Sequence, residues 1–265
     1  MKPAPFEYEA PASVEEALPL LGLDSTVLAG GQSLVPLLNL RLAQPDLVVD
    51  INGIAELDYI RADDGALRIG AMTRQVTLER SELARQPWPL LGKAIRLVGH
   101  AQIRTRGTVG GSVAHADPAA ELPVALTALG ARVHLRSPGG TRTVDTADFF
   151  LGPLYTVREP DELLVEIEVP EPVNGTGSGF AEHARTHGDF ATAGAAAIVA
   201  PGVHAAVVLL GAGPMPVRAE EAERALIAGA SSREAAALAA QDVEDEHRRA
   251  LCTELARRAI EEAMS

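Results

Sequence analysis

The sequence contains a single cysteine, and this absence of thiols limits its chemistry. Cys252 lies near the C-terminus in a stretch with helical character. One thiol excludes an internal disulfide, and it also excludes a thiolate zinc site or a cysteine-ligated iron–sulfur cluster, both of which need several converging ligands. Any electron carrier bound by the chain must therefore be organic.

Aromatic residues and positive charge are also scarce. The 265 residues include one Trp, three Tyr and five Phe, which leaves few stacking platforms for single-stranded nucleic acid. Lys and Arg number 23 against 36 Asp and Glu, for a formal net charge of −13. This balance excludes a general basic surface for phosphate backbones or anionic lipid, and it leaves the core to be aliphatic.

A long hydrophobic run is missing as well. The longest uncharged stretch, 191–217, is interrupted by Pro201 and Gly202, which mark a turn between two β-prone segments. The pattern predicts a hairpin of strands 195–200 and 203–210 in place of a membrane helix. Residues 1–9 have neither a signal-like apolar run nor an Arg-rich presequence, so the cytoplasm is the expected location.

Helix and strand signals are mixed along the chain, which predicts an α+β fold. Ser13 and Glu16 are spaced as a capping box, and strands at 26–29 and 46–51 around a helical segment suggest a small βαβ-type unit. Further strands are predicted at 66–71, 132–136, 141–144, 163–169 and around Phe180, and further helices from Thr77, at 90–98, 122–129, 219–228, 233–240 and 246–263. The Pro- and Gly-rich segment 170–179 is the predicted domain boundary.

Two glycine pairs are the candidate binding motifs. Gly30 and Gly31 directly follow a predicted strand, and glycines there allow backbone N–H groups to converge on an anion. Gly110 and Gly111 stand between Thr108 and Ser112, ahead of a predicted helix with Asp117 as its N-cap and Pro118 at its first position. Each pair alone also suits a simple turn. Together the two pairs favour a bound molecule with two phosphates. Because the sequence offers no metal site and no thiol cluster, this molecule is predicted to be a dinucleotide.

Other nucleotide signatures are absent. Gly211 and Gly213 follow a predicted strand, but Pro214 and Pro216 remove backbone donors and the third glycine of a Rossmann fingerprint is missing. The phosphate-binding motif Gly-x-x-x-x-Gly-Lys is also absent. The sequence therefore gives no support to nucleotide hydrolysis, and no catalytic acid, base or nucleophile constellation stands out.

Segments along the chain, including both glycine pairs, resemble a known family, the flavin-binding medium subunits of molybdenum hydroxylases. The family includes carbon monoxide dehydrogenase and xanthine dehydrogenase. The similarity extends over nearly the whole chain in the right order. The matching segments are 29–34 with Pro36 and Arg41, 103–104 and 108–112, 117–123, 161–164, 167–170, Arg185 with 188–191, and 216–218.

The resemblance implies a two-domain architecture. Residues 1–173 would form an FAD-binding domain of the vanillyl-alcohol-oxidase or PCMH type, with subdomains of about 1–55 and 56–173. Residues 174–265 would form a smaller C-terminal α+β domain of the carbon monoxide dehydrogenase flavoprotein type, with an antiparallel sheet. FAD would lie between the subdomains.

The resemblance also implies the cofactor-binding residues. The diphosphate and the flavin edge would be held by Leu28, Ala29, Gly30, Gly31, Gln32, Ser33 and Leu34, and by Thr108, Gly110, Gly111 and Ser112. His115, Asp117 and Glu121 would reach the ribose or adenosine portion, and Leu164 would pack against the ring system. From the residues alone, Glu121 also suits the first turn of a helix, and Asp117 also suits an N-cap.

The implied function is electron relay in an oxidoreductase. A small subunit would hold 2Fe–2S centres and a large subunit the molybdenum cofactor, and FAD would pass electrons to NAD, a quinone or oxygen. Two alternatives stay open: a self-sufficient flavin oxidase or reductase of the same fold, and a non-catalytic module that binds a dinucleotide to assemble a complex. Gln32 stands where some oxidases of this fold attach flavin through a His, which disfavours that subtype.

Overall fold

The computed structural model describes residues 2–265 and contains both helices and sheets, as the α+β prediction requires. The helices are α1 (Val14–Ala17), α2 (Leu34–Asn39), α3 (Gln75–Arg80), α4 (Glu82–Arg85), α5 (Pro89–Ile95), α6 (Ala101–Arg106), α7 (Val109–His115), α8 (Glu121–Ala128), α9 (Thr146–Phe149), α10 (Glu220–Ile227), α11 (Ser232–Ala239) and α12 (Glu246–Met264). The strands are β1 (Glu7–Glu9), β2 (Ser25–Leu28), β3 (Leu47–Asp50), β4 (Ile60–Asp63), β5 (Ala66–Gly70), β6 (Arg132–Ser137), β7 (Gly140–Asp145), β8 (Phe150–Gly152), β9 (Tyr155–Thr156), β10 (Leu163–Pro170), β11 (Gly177–Ala184), β12 (Ala191–Ala200), β13 (His204–Leu210) and β14 (Val217–Arg218).

The N-terminal strands form a parallel three-stranded sheet in the order β1-β3-β2. Ser25 and Leu28 pair with Leu47 and Asp50, so β2 and β3 run in the same direction and the chain between them carries α2. This confirms the predicted βαβ-type unit. The Ser13 hydroxyl accepts a hydrogen bond from the backbone N–H of Glu16, as expected of the N-cap of α1.

The second sheet is antiparallel, with five strands in the order β4-β5-β10-β6-β7. One face presents buried Leu67, Ile69, Val133 and Ile167 to the core. On the other face Glu168 pairs with Arg68 at 3.0 Å, with Arg132, and with His134 at 3.1 Å. Glu166 joins this network through Arg68, and ligand atoms from His134, Glu166 and Glu168, one from each, lie close enough together to hold a metal ion. Arginines already neutralise both carboxylates. We therefore assign the network to the stability of the sheet.

The third sheet, β11-β12-β13-β14, is antiparallel and buried on both faces. Along β12, Ala193, Ala195 and Ala197 pack with the C-terminal helices α10–α12, whereas Ala196 and Ile198 face the core that contains α5 and α8. Because both faces are covered, the strand is apolar at nearly every position. The long uncharged stretch is therefore the predicted hairpin. No helix among residues 2–265 is both long enough and apolar enough to cross a membrane.

Three sequence expectations were wrong in detail. Helix α8 begins at Glu121 with Ala120 as its N-cap, so Asp117 does not cap it; its Oδ1 instead accepts the N–H of Ala119 at 2.8 Å and closes a turn. Helix α5 ends at Ile95, short of the predicted Val98. The irregular connection expected at 170–179 is shorter, since β10 includes Pro170 and β11 begins at Gly177.

Candidate functional site

A cavity of about 570 Å³ lies between the two glycine segments. Its volume falls within the range of small-molecule and cofactor sites, roughly 300–1,000 Å³. The structure brings the predicted site residues together there, although they come from separate parts of the chain. Those lining it are Ala29, Gly30, Gly31, Gln32, Ser33, Leu34, Thr108, Gly110, Gly111, Ser112, His115, Asp117, Glu121 and Leu164. Leu28 does not line the cavity; it ends β2 just before the loop.

The first loop, residues 29–33, offers unused backbone donors. Within residues 2–265, none of the N–H groups from Gly30 to Ser33 donates a hydrogen bond to another protein group. Gly31 has a φ of +73°, a left-handed conformation in which glycine is not strained. The Asn52 side chain donates to the carbonyl of Ala29 at 2.8 Å and so fixes the loop from behind. This loop therefore has the free donors that a bound anion requires.

The second glycine pair differs from its prediction. The sequence predicts that the pair precedes a helix starting at Asp117. In the structure Gly110 and Gly111 instead lie in the first turn of a helix, α7, with Thr108 as its N-cap. The N–H groups of its first three residues are already bonded, from Val109 to the carbonyl of Thr73, from Gly110 to the carbonyl of Ala71, and from Gly111 to Thr108 Oγ1. This segment therefore shapes the wall by close packing and does not offer an open nest of backbone donors.

Arg74 joins the two glycine segments, and sequence reasoning missed it. One guanidinium nitrogen donates to Asn52 Oδ1 at 2.7 Å, and Asn52 in turn holds the first loop. Another donates to the carbonyl of Arg106 at 2.6 Å, just before the second segment. Burial and the charge of Arg106 lower the pKa of Arg74. This side chain thus links the two glycine segments through Asn52 and the Arg106 carbonyl.

Further residues missed by the site prediction complete the wall. Gln75 is buried, and its Oε1 has no hydrogen-bond partner in the described chain, which leaves a polar atom to be satisfied at the cavity. Met72, Ile103 and Phe190 add apolar surface, and Phe190 is 71% exposed at the turn between β11 and β12. Residues 188–191 are among the segments that carry the family resemblance, which implies no role for them at the site.

Arg158 contributes a cation to the cavity wall. It donates to the carbonyls of Glu159 and Glu162, at 2.9 Å and 2.8 Å. Burial lowers the pKa of Arg158, an effect only partly offset by nearby Glu162. The Glu162 carboxylate itself is held by Arg142 at 2.6 Å. Arg158 therefore places a positive charge at the cavity wall, and the charge of the neighbouring Glu162 carboxylate is already balanced by Arg142.

The cavity between the two glycine segments suits a ligand that has both an anionic part and a flat apolar part. Free N–H groups of the first loop and the Arg158 guanidinium can hold phosphate, and Leu164, Met72 and Ile103 can contact a ring system. The wall also carries His115, Asp117 and Glu121. These features fit a dinucleotide with a diphosphate and an organic redox ring.

Comparison with known proteins gives a consistent result. A family model described as "FAD binding domain in molybdopterin dehydrogenase" matches residues 4–172. The chain is 45% identical over 235 residues to the 6-hydroxypseudooxynicotine dehydrogenase complex subunit alpha of Paenarthrobacter nicotinovorans, covering 86% of this chain and 79% of that protein. It is 40% identical over 247 residues to the carbon monoxide dehydrogenase medium chain of Hydrogenophaga pseudoflava, covering 91% and 86%.

The fold is also similar to that of a chain in a solved carbon monoxide dehydrogenase structure. A chain of carbon monoxide dehydrogenase from Hydrogenophaga pseudoflava, in a form lacking the Mo-pyranopterin moiety of the molybdenum cofactor, superimposes with a TM-score of 0.94. The sequences are 40% identical, and the match covers 100% of this chain and 99% of the other. The likeness therefore includes the C-terminal sheet and helices as well as the residues matched by the family model.

Proposed function

This chain belongs to the family of FAD-binding medium subunits of molybdenum hydroxylase complexes, and on that premise we propose that it relays electrons from iron–sulfur centres of partner subunits, through FAD, to an acceptor such as NAD, a quinone or oxygen. FAD, when bound, supplies the redox chemistry, because its ring system takes up and releases electrons. The residues of this chain bind and orient it. No acid, base or nucleophile of the chain is needed for such a relay.

The observation that carries the proposed binding mode is the set of free donors in the first loop. The N–H groups from Gly30 to Ser33 would hold the diphosphate, and Arg158 would add positive charge. Leu164 would pack against the ring system. The remaining proposed contacts are Ala29, Leu34, Thr108, Gly110, Gly111, Ser112, His115, Asp117 and Glu121.

The structure predicts that Arg74→Met weakens FAD binding without removing it. The substitution takes away the donors to Asn52 Oδ1 and to the Arg106 carbonyl, so the two glycine segments lose this link between them. Hydrogen bonds from a charged group contribute about 1.5–3 kcal/mol. We expect the dissociation constant for FAD, measured by quenching of flavin fluorescence, to rise about tenfold.

Arg61→Met is the matched control. Arg61 is an exposed arginine that pairs with Glu166 at 3.4 Å on the outer face of the five-stranded sheet and does not line the cavity. It should leave FAD affinity unchanged. Equal FAD affinity in the Arg74→Met variant and the wild type would show that FAD binding does not depend on this link.

The proposed partners are a large subunit with the molybdenum cofactor and a small subunit with 2Fe–2S centres. The names of the relatives support this, since one is a complex subunit and another is a medium chain. The lone buried Cys252 also supports it, because this chain cannot itself ligate such a cluster.

The test of the relay compares the isolated chain with the complex purified from its source through a tag on this chain. We expect flavin alone in the isolated chain, and flavin together with iron and molybdenum in the complex. A complex free of both metals would contradict the proposal. So would an isolated, FAD-loaded chain that oxidises a small substrate by itself, since that result describes a self-sufficient oxidase.

We also propose that the chain divides into domains at residues 1–173 and 174–265, with subdomains of about 1–55 and 56–173 in the first. The parallel sheet falls in the first subdomain, the five-stranded sheet in the second and the four-stranded sheet in the C-terminal part. The cavity walls come mainly from the first two parts, with Gly188, Asp189 and Phe190 added by the third.

A further inference from the structure

One buried polar side chain of the cavity wall has no partner in the protein. Gln75 is the first residue of α3, lines the cavity and is only 4% exposed. Among residues 2–265, neither end of its amide forms a hydrogen bond with another protein group. Four buried side-chain oxygens lack a partner in this range, and only Gln75 Oε1 belongs to a residue of the cavity wall. A buried amide without partners destabilises a fold, so its place at the cavity indicates a ligand contact.

The two ends of the amide have different surroundings. Oε1 is shut off from solvent and lies against Gly107, since a Cβ at position 107 would lie 2.5 Å from Gln75 Oε1 and 2.9 Å from Gln75 Cδ. Nε2 is not enclosed in this way, although the residue as a whole is buried. Because Gln75 lines the cavity, Nε2 is the end that opens toward it. This nitrogen carries two N–H donors.

The backbone next to Gln75 is fixed by the segment that leads into α7. The N–H of Gln75 donates to the carbonyl of Gly107 at 2.9 Å, and Arg74 pairs with Thr108 in an isolated β-bridge. The Arg74 guanidinium also donates to the carbonyl of Arg106 at 2.6 Å. The position of Gln75 is thus set by residues 106–108, so its amide is held at the cavity before any ligand binds, which lowers the cost of binding.

Gln75 lies between the part of the cavity suited to a diphosphate and the part suited to a ring system. On one side Gly107 packs on the first loop, because a Cβ at Gly30 would lie 2.9 Å from Gly107 Cα. On the other side, a Cβ at position 107 would lie 3.1 Å from the carbonyl oxygen of Ile103. The first loop supplies N–H donors for a diphosphate, whereas Ile103 and Met72 give a ring apolar contact and no side-chain donor. Gln75 supplies the donor that this apolar wall lacks.

We propose that Gln75 Nε2 donates a hydrogen bond to a carbonyl oxygen of the flavin ring of FAD and so raises the midpoint potential of the bound flavin. The proposal rests on the FAD site described above and adds a specific contact to it. A flavin ring that takes up electrons gains negative charge on its carbonyl-bearing edge, so a donor there stabilises the reduced form more than the oxidised form. Gln75 therefore favours FAD binding and flavin reduction, at a cost to the stability of the apo chain.

The test replaces Gln75 with Met, which has a similar length and no N–H donor. We expect the dissociation constant for FAD, measured by quenching of flavin fluorescence, to rise about tenfold. The dissociation constant for ADP-ribose, which has the diphosphate but no flavin ring, should not change in calorimetric titration. Redox titration of the FAD-loaded chain should give a more negative midpoint potential than in the wild type.

The apo chain supplies a further readout that does not involve FAD. Because Gln75→Met removes a buried amide without partners, the apo variant should melt about 2–4 °C above the wild type. Gln75→Leu also lacks the donor and should give the same four results. Gln102→Met is the matched control: Gln102 is exposed on the neighbouring helix α6 and does not line the cavity. This control should match the wild type in all four measurements.

The outcomes separate the Gln75 contact from the FAD site itself. A wild-type chain that binds no FAD would contradict the proposed function. If the wild type binds FAD, an unchanged affinity or an unchanged midpoint potential in Gln75→Met would overturn the Gln75 contact alone. An equal loss of affinity for ADP-ribose would also overturn it, because the amide would then bond the diphosphate. Lower melting temperatures of both apo Gln75 variants would show that the side chain holds the fold, which contradicts the proposal whether or not FAD binds.

Discussion

Gly31→Val is expected to abolish FAD retention while the chain stays folded. A β-branched residue at a φ of +73° costs about 1–2 kcal/mol, and the chain relieves this strain by turning the backbone toward negative φ. That rotation redirects the free N–H groups of the first loop away from the cavity. The new Cβ would also lie 3.1 Å from Val35 Cγ2 and 3.3 Å from Leu28 Cδ1. Each lost donor to a charged phosphate removes about 1.5–3 kcal/mol, so affinity should fall at least about a hundredfold.

Gly65→Val provides a closely matched control. Gly65 has a φ of +72°, lies in the turn between β4 and β5, and has open space around the position of a Cβ. Its substitution carries the same backbone cost away from the cavity. Both variants should therefore lose similar stability in urea unfolding, but only Gly31→Val should lose FAD, measured as flavin released by heating the purified protein. Equal flavin content in the two variants would remove the first loop from the site.

Gly110→Ala is expected to be strongly destabilising, because α7 packs directly on the end of β5. A Cβ at position 110 would lie 2.6 Å from Ala71 Cβ and 2.7 Å from both Cα and the carbonyl oxygen of Ala71. Backbone atoms cannot move aside as a flexible side chain does, so the helix must shift and the bond from Gly110 N–H to Ala71 weakens. We expect a loss of about 3 kcal/mol in the free energy of unfolding, or roughly 6–12 °C in melting temperature.

Gly92→Ala tests the same change in a helix without a close neighbour. Gly92 lies within α5, and nothing is within 4 Å of the position of its Cβ. Replacement of glycine by alanine inside a helix stabilises by about 0.5–1 kcal/mol. The two substitutions should therefore shift the melting temperature, followed by circular dichroism, in opposite directions. A stable Gly110→Ala variant would contradict the close packing of α7 on β5.

Local patterns account for the parts of the fold that the sequence predicted well. The two β-prone runs and the turn at Pro201 and Gly202 identify the β12–β13 hairpin, because strand pairing there joins neighbours in sequence. Helix α7 was missed because Gly110 and Gly111 are poor helix formers. Tertiary contact with Ala71 and the Thr108 cap outweigh that propensity.

The sequence also predicts only part of the candidate site. Glycine pairs and small polar residues mark the cavity wall in the sequence, and all the predicted residues except Leu28 line it. Asp117 and Pro118 have the pattern of a helix start, but the Asp117 side chain closes a turn and the helix begins at Glu121. Arg74 acts through partners distant in the chain, the Asn52 side chain and the Arg106 carbonyl. Such contacts depend on the packing of separate elements, which no local pattern specifies.

The most direct test of the central claim is the amount of flavin that the chain binds. The purified chain is incubated with FAD, freed of excess ligand by gel filtration, and analysed for protein and for flavin released by heating. One FAD per chain, with the visible absorption of a protein-bound flavin, is the predicted result. A chain that stays colourless after this treatment, or that retains as much FAD with Gly31→Val as without it, would contradict the account.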